Sequence, residues 1–251
     1  MKQQEIISYC NELLNINQIP DYCPNGLQVE ADPRPVKKIA LGVSISLEFI
    51  EKAIAEDADM IITHHGLFWE KDSRVIQGPL RKKIQLLLSN HLTAVAYHLP
   101  LDFHAEIGNN IQLAKRLGLT KVREFDDTAS YSDGIIGETD IKSIDDFSIH
   151  IENILDRKPV VLPYGKAQIS KIVIITGGAQ GYFQKAIDLG ADCFITGEIS
   201  EKNFSMSKEY EVHFVSAGHY ATEKFGIQAL GDLITHKFNI ECNFIDIPNP
   251  I

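Results

Sequence analysis

The stretch FIEKAIAEDADMIITHH at residues 49–65 decides the fold, because its pattern returns as YFQKAIDLGADCFITGE at residues 182–198. The two stretches align without a gap and share a Lys-Ala-Ile triplet, an Ala-Asp pair and an Ile-Thr pair. Each copy reads as an apolar strand, a helix (46–56 and 181–189) and a second apolar strand. Continuous apolar runs joined by a helix are typical of βαβ units with a buried parallel pair of strands. The sequence therefore predicts an internal duplication.

The duplication predicts an α/β protein of two internally duplicated lobes, each built on βαβ units with a mixed sheet flanked by helices. The least patterned stretch, residues 121–137, is polar and rich in turn-forming residues, which makes it the best candidate for a boundary. We therefore assign residues 1–125 to the first α/β lobe and residues 126–237 to the second. The tail carries an alternating strand at residues 240–247, so residues 238–251 are expected to return to the first lobe.

The composition excludes several classes of protein. The net charge of −10 argues against binding of duplex nucleic acid, which needs a basic surface. The cysteines form no C-x-x-C pair and are expected to be reduced thiols; they are Cys10, Cys23, Cys193 and Cys242. The N-terminus indicates an amphipathic helix and not a signal peptide, and no apolar run is long enough to span a bilayer. We therefore expect a cytoplasmic protein without a membrane partner.

Imidazole and carboxylate side chains follow short apolar runs in both halves of the chain. They are His64, His65, His98, Asp102, His219 and Glu223. Such side chains are the usual ligands of Zn, Fe, Mn and similar divalent ions. The carboxyl ends of strands are also where α/β proteins place their active residues. Since two half-sites can close around a pair of ions, the sequence predicts a metal site between the lobes.

The adjacent His64 and His65 form the strongest of these signals. Neighbouring strand residues point to opposite faces, so both can bind metal only where the strand ends and the backbone bends. Gly66 follows at once and permits such a bend. The alternative is one buried core histidine and one exposed histidine.

His98 and Asp102 are spaced as His-x-x-x-Asp. Pro100 between them favours a turn or a helix start, so a shared helix face and a loop are both possible. Asp102 is interpreted as a ligand, with a helix cap or turn aspartate as the alternative. For His98, the roles of ligand, supporting residue and proton shuttle all stay open.

His219 and Glu223 repeat this spacing as His-x-x-x-Glu. The longer stem of a glutamate lets its oxygens reach separate ions, so Glu223 is the candidate bridging ligand; an ordinary pair on a helix surface is the alternative. The glycine-rich loop 176–181 is interpreted as a tight βα turn, although such a loop can hold a phosphate. Glu198 stands where the first half has His65, and its role in the site is open.

Several motifs together make the chain resemble the GTP cyclohydrolase 1 type 2 homologue family, also called the NGG-interacting-factor-three-like family. They are DYCPNGLQV, ITHHGLFW, YHLPLD, ADCFITGEISE, SAGHYATEKFG and FIDIPNP. The resemblance implies a two-lobed α/β protein that assembles into a toroidal homohexamer, a trimer of dimers. It also implies a dinuclear metal site with His98 close by and with ligands at His64, His65, Asp102, His219 and Glu223.

These observations favour a metal-dependent hydrolase acting on a nucleotide or related heterocycle. Two divalent ions per chain (Zn, Fe, Mn, Co or Ni) would activate a water between them, and His98 would be catalytic as a proton relay. In a reaction of the GTP cyclohydrolase type, the attack falls on C8 of the purine and releases formate. Phosphoester hydrolysis is the alternative chemistry. A non-catalytic metal-binding scaffold or metallochaperone is the alternative function.

Overall fold

The structure is a computed structural model that describes residues 1–125 and 131–251. The strands in these residues are β1 (Gly26–Val29), β2 (Lys38–Ser44), β3 (Met60–His65), β4 (Thr93–Ala96), β5 (Thr120–Glu124), β6 (Ile135–Glu138), β7 (Val160–Leu162), β8 (Lys171–Ile174), β9 (Cys193–Thr196), β10 (His213–Ser216) and β11 (Glu241–Phe244). The helices are α1 (Gln3–Leu13), α2 (Leu47–Ala55), α3 (Gly78–Ser89), α4 (Leu99–Asp102), α5 (Asn109–Arg116), α6 (Ile144–Leu155), α7 (Phe183–Asp188), α8 (Glu201–Tyr210), α9 (His219–Thr222) and α10 (Lys224–Phe238). Among the described residues, no helix has the length and apolar character needed to cross a membrane.

The chain folds as two compact units. The first comprises Met1–Ile107 and Gly226–Pro248, and the second comprises Gly108–Phe225 and Asn249–Ile251. This partition differs from the lobe boundary that the sequence predicts between residues 125 and 126. Residue 126 itself lies outside the described residues. Residues 108–125 lie in the second unit because α5 buries its apolar face in the core of that unit and β5 pairs with β6.

The first unit contains a mixed five-stranded sheet in the order β1-β4-β3-β2-β11. Strands β4, β3, β2 and β11 run parallel, and β1 is antiparallel at the edge. Helices α1 and α10 pack on one face, where Ile39 and Leu41 point, and α2 and α3 cover the other, where Ala40 and Ile61 point. Because both faces are covered, these strands are continuous apolar runs. Strand β11 is the predicted strand of the tail, and it pairs with β2.

The second unit repeats this plan around a six-stranded sheet in the order β5-β6-β8-β9-β10-β7. Its parallel strands β8, β9 and β10 correspond to β2, β3 and β4 of the first unit. In each unit, an antiparallel edge strand pairs with the third of these parallel strands: β1 pairs with β4, and β7 pairs with β10. The structure therefore confirms the mixed α/β fold and supports the internal duplication.

The matched Asp59 and Asp192 show how the repeated sequence produces the repeated structure. The Asp59 carboxylate accepts hydrogen bonds at 2.8 and 3.1 Å from the amides of residues 37–38, where β2 begins. The Asp192 carboxylate accepts at 3.0 and 2.9 Å from the amides of residues 170–171, where β8 begins. Each aspartate thus satisfies backbone donors that the ladder leaves unpaired.

Serine side chains cap the first turns of two helices. Ser46 caps α2 by accepting from the Phe49 amide, and Ser143 caps α6 by accepting from the Asp146 amide. The helix predicted at residues 181–189 is shorter than expected. The chain first forms a 3₁₀ turn at Gln180–Tyr182, and α7 begins only at Phe183.

Candidate metal centre

In the first unit, two candidate ligands end the central strand β3. His64 is fully buried, His65 is half-buried, and their ring centroids lie 4.7 Å apart. Gly66 follows them, but it has no positive φ. Glycine is required here for lack of space, since a Cβ added at Gly66 would lie 2.7 Å from Gln28 Oε1 and 3.0 Å from the Ala96 Cβ.

The short helix α4 brings the next candidates to the same place. Pro100 occupies its first turn, so the His-x-x-x-Asp spacing is helical and not a loop. Asp102 is buried, and its Oδ2 lies 3.5 Å from His64 Nε2. Ring nitrogens of His64, His65 and His98 lie within 4.8 Å of one another. The geometry therefore keeps His98 both as a candidate ligand and as a supporting group.

Two of these imidazoles are held in one orientation by oxygen acceptors. His64 Nδ1 lies 2.9 Å from the carbonyl oxygen of Tyr97, and His98 Nδ1 lies 3.0 Å from Asp21 Oδ1. A carbonyl or a carboxylate can only accept, so both rings donate from Nδ1. In the neutral ring, Nε2 then carries the lone pair that a metal or a proton can use. This arrangement is the usual support of a metal-binding histidine.

The sequence patterns do not single out Asp21, although it begins the DYCPNGLQV motif. Its side chain is only 3 % exposed. Besides His98, the carboxylate accepts from the Asn25 amide group at 2.9 Å and from the Leu99 backbone at 3.0 Å. Burial would raise the pKa of Asp21, but its hydrogen bonds and the charge of His98 outweigh burial and lower the pKa to about 2. Asp21 is therefore an ionised anchor for the imidazole.

In the second unit, His219 lies between two carboxylates. Its Nδ1 is 2.7 Å from Glu198 Oε1, and its Nε2 is 3.1 Å from Glu223 Oε2. Burial alone would lower the pKa of His219, but Glu223 and Glu198 together raise it to about 9. Glu198, whose role the sequence left open, thus anchors His219 as Asp21 anchors His98.

The glycine-rich loop packs directly onto these side chains. Gly177 has a φ of 69°, and a Cβ added there would overlap Glu223 Oε1 and lie 3.4 Å from His219 Nε2. The Gly177 amide donates to the Thr222 hydroxyl, and the Ala179 amide donates to Thr196 Oγ1. These amides are used internally, so the loop is a tight turn that shapes the site.

The donor set in each unit suits a divalent transition ion. The first unit offers imidazole nitrogens with Asp102, and the second offers an imidazole with the buried carboxylate of Glu223. Mixed imidazole and carboxylate donors are typical of Zn, Fe, Mn and related ions. With Nδ1 engaged by oxygen, His64 Nε2 lies 3.5 Å from Asp102 Oδ2, and His219 Nε2 lies 3.1 Å from Glu223 Oε2. The residues present therefore fit a bound metal.

The chain matches known proteins over its full length. The sequence profile of Duf34/NIF3 (NGG1p interacting factor 3) matches residues 1–250. A protein of Haemophilus influenzae named GTP cyclohydrolase 1 type 2 homolog is 42 % identical over 252 residues and is covered completely, as is this chain. A protein of the same name from Pseudomonas aeruginosa is 40 % identical over 246 residues, which cover 98 % of this chain and 97 % of that protein.

Solved structures agree with this match. The structure of a protein ybgI, described as of unknown function, superposes with a TM-score of 0.94 at 40 % identity and full coverage of both chains. A protein from Thermus thermophilus superposes with a TM-score of 0.90 at 30 % identity, again with full coverage of both. The profile, the relatives and the shared fold lead to one conclusion: this chain belongs to the Duf34/NIF3 family.

Proposed function

We propose that the chain is a metal-dependent hydrolase acting on a nucleotide or related heterocycle. In this proposal, ligands from both units hold two divalent ions per chain. They are His64, His65, Asp102, His219 and Glu223, with Glu223 as the bridging ligand. The proposal rests mainly on one observation, the imidazoles whose Nδ1 atoms are anchored by oxygen acceptors beside buried carboxylates. The names of the relatives favour chemistry of the GTP cyclohydrolase type.

The chemistry is divided between the ions and the chain. Bound divalent ions lower the pKa of water and polarise a substrate oxygen or nitrogen. His98 accepts or returns a proton at Nε2, because Asp21 occupies the Nδ1 hydrogen. Burial of His64 and Asp102 excludes bulk water from this side of the site. In a cyclohydrolase reaction, these groups would add one water at C8 of the purine, which breaks the C8–N9 bond and leaves a formamide on N7. A second water would then break the C8–N7 bond and release formate.

We also propose that the chain assembles as a homohexamer, a trimer of dimers. This proposal rests on the resemblance of the sequence motifs to the family. Light scattering coupled to gel filtration should then give six times the chain mass of 28.1 kDa. A monomer at micromolar concentration would contradict it.

Turnover by the metal-reconstituted protein is the test of the hydrolase proposal. The protein, loaded separately with Zn, Mn, Fe, Co or Ni, is incubated with a panel of nucleotides, and both formate and phosphate are measured. Formate release supports cyclohydrolase chemistry, and phosphate release supports phosphoester hydrolysis. The absence of both products with every ion would overturn the hydrolase and favour a metal-binding scaffold.

Variants then decide whether the two units share one site. His64→Ala and His219→Ala should each lower the metal content and abolish turnover, because each removes a ligand from a different unit. His91→Ala is the matched control, since this histidine is exposed and pairs with Asp32. Unchanged metal content in both ligand variants would contradict a shared site.

A further inference from the structure

We propose that a cleft walled by Tyr22 and Trp69 binds the flat ring of a planar heterocycle. The inference rests on the proposed function, since this ring would be the base of the nucleotide substrate. The cleft has a volume of about 500 Å³ and lies in the first unit, between the turn at residues 21–24 and the segment at residues 67–74. One of its walls is Asp21, the residue that anchors His98.

The aromatic rings of this cleft adjoin the candidate metal ligands. Tyr22 and Trp69 are stacked with centroids 5.8 Å apart and planes 29° apart. The Trp69 ring lies edge-on to the His98 ring, with centroids 5.2 Å apart. Its centroid lies 5.7 Å from that of the His65 ring. A ring held by this wall would therefore lie beside the imidazoles that are proposed to perform the chemistry. Tyr22 is 53 % exposed, so a large aromatic face is accessible to a ligand.

The two segments that carry these rings are tied together. The Glu70 amide donates to the Tyr22 carbonyl at 2.9 Å. The Gln28 side chain donates to the Pro24 carbonyl at 2.8 Å and accepts from the Leu67 amide at 3.3 Å. Such links hold the wall in place before a ligand arrives, which lowers the entropy cost of binding.

The charges of the cleft indicate which part of a nucleotide it takes. Its lining includes the exposed carboxylates of Glu70 and Asp72 but only one cation, Arg74. The Asp21 carboxylate also lines the cleft, but its oxygens already accept from protein donors. Carboxylates repel a polyphosphate and accept hydrogen bonds from ring N–H and amino groups. Stacking on an aromatic side chain accepts any base, because every base has a π face. The cleft therefore suits a heterocyclic base that carries amino groups, with the phosphates directed away from it.

Fluorescence titration with guanosine tests this inference without relying on turnover. Trp69 is the only tryptophan of the chain, so its emission reports on this wall alone. Guanosine should quench the emission saturably in the metal-loaded protein, and ribose 5-phosphate should not. Absence of saturable quenching by guanosine, or equal quenching by ribose 5-phosphate, would overturn the inference.

Variants of Tyr22 separate stacking from other contacts. Tyr22→Leu should weaken guanosine binding about tenfold or more, the usual loss when a stacked aromatic ring is removed. Tyr22→Phe should bind nearly as tightly because it keeps the ring. Tyr210→Leu is the control, since Tyr210 is 50 % exposed but does not line the cleft. Unchanged affinity in Tyr22→Leu, with native circular dichroism, would contradict the stacking wall.

The outcomes separate this inference from the proposed hydrolase. Binding of guanosine that depends on Tyr22, without any turnover, would keep the cleft and reject the hydrolase. Turnover of a nucleotide with no effect of Tyr22→Leu on binding or on KM would keep the hydrolase and reject the cleft.

Discussion

Asp21 accepts a hydrogen bond from the ring of His98 at 3.0 Å, although 77 positions separate the two residues in the chain. Both side chains are almost fully buried. The carboxylate fixes which nitrogen of the imidazole carries hydrogen, and it thereby leaves Nε2 of the neutral ring with the free lone pair. A turn near the N-terminus thus controls the proton chemistry available to a residue that follows β4.

Replacing Asp21 by asparagine should slow turnover while the metal stays bound. Asparagine keeps the size but loses the charge that holds the His98 tautomer, and loss of such a supporting contact typically costs about 10- to 100-fold in rate. Rates and metal content would be measured together. Asp32→Asn is the matched control, because Asp32 pairs with His91 at 2.8 Å on the surface. Equal rate losses in the two variants would contradict a specific role for Asp21.

Glu223→Gln should weaken the binding of both ions, whereas Asp102→Asn should weaken mainly one. Glutamine keeps one acceptor oxygen but removes the negative charge that we propose is shared between the ions. Asp102 is assigned to a single ion. Calorimetric titration with the metal would show a loss at two sites in the first variant and at one in the second. A single-site loss in Glu223→Gln would reject the bridging role.

His98→Ala should keep its metal and lose rate. We assign His98 to proton transfer, and a true acid or base typically contributes about 10²- to 10⁴-fold. The measurement is turnover alongside metal content for the same preparation. An ion loss as large as that of Asp102→Asn would instead make His98 a ligand, the role that its distance to His64 and His65 also allows.

Gly177→Ala should reduce metal binding even where the fold survives. The new Cβ overlaps Glu223 Oε1, so the carboxylate must move. Gly118→Ala is a close control, because Gly118 has a φ of 68° but no atoms within 4 Å of an added Cβ. Both variants should lose about 1 kcal/mol of folding stability from the left-handed backbone. Only Gly177→Ala should also lose metal, and equal metal content in the two would contradict the contact.

Cys23 should react slowly with iodoacetamide at pH 8, and Asp21→Asn should accelerate the reaction. Burial first, and then the charge and hydrogen bond of Asp21, raise the pKa of Cys23, so the unreactive thiol predominates. Removing the Asp21 charge lowers that pKa. Cys10 is an internal control, since burial raises its pKa to about 12 independently of Asp21. Peptide mass spectrometry would quantify both sites, and an unchanged Cys23 rate in Asp21→Asn would contradict this account.

The sequence by itself determined the elements of this fold and the types of residue that could bind metal. The apolar runs, the repeated Lys-Ala-Ile triplet and the repeated Ala-Asp pair predicted both βαβ units. These signals are readable because helix and strand periodicity depends on neighbours within a few residues. The spacing of His98 and Asp102 likewise indicated that the two act together.

Only the tertiary structure decided which side chains support the candidate ligands. The contact of Asp21 with His98 and the contact of Glu198 with His219 each join separate segments. Gly177 shapes the site because its loop packs against Glu223, which no local pattern indicates. Residues 108–125 join the second unit because α5 finds its apolar partners there. These contacts depend on how strands and helices pack across long separations, and such packing leaves no local period in the sequence.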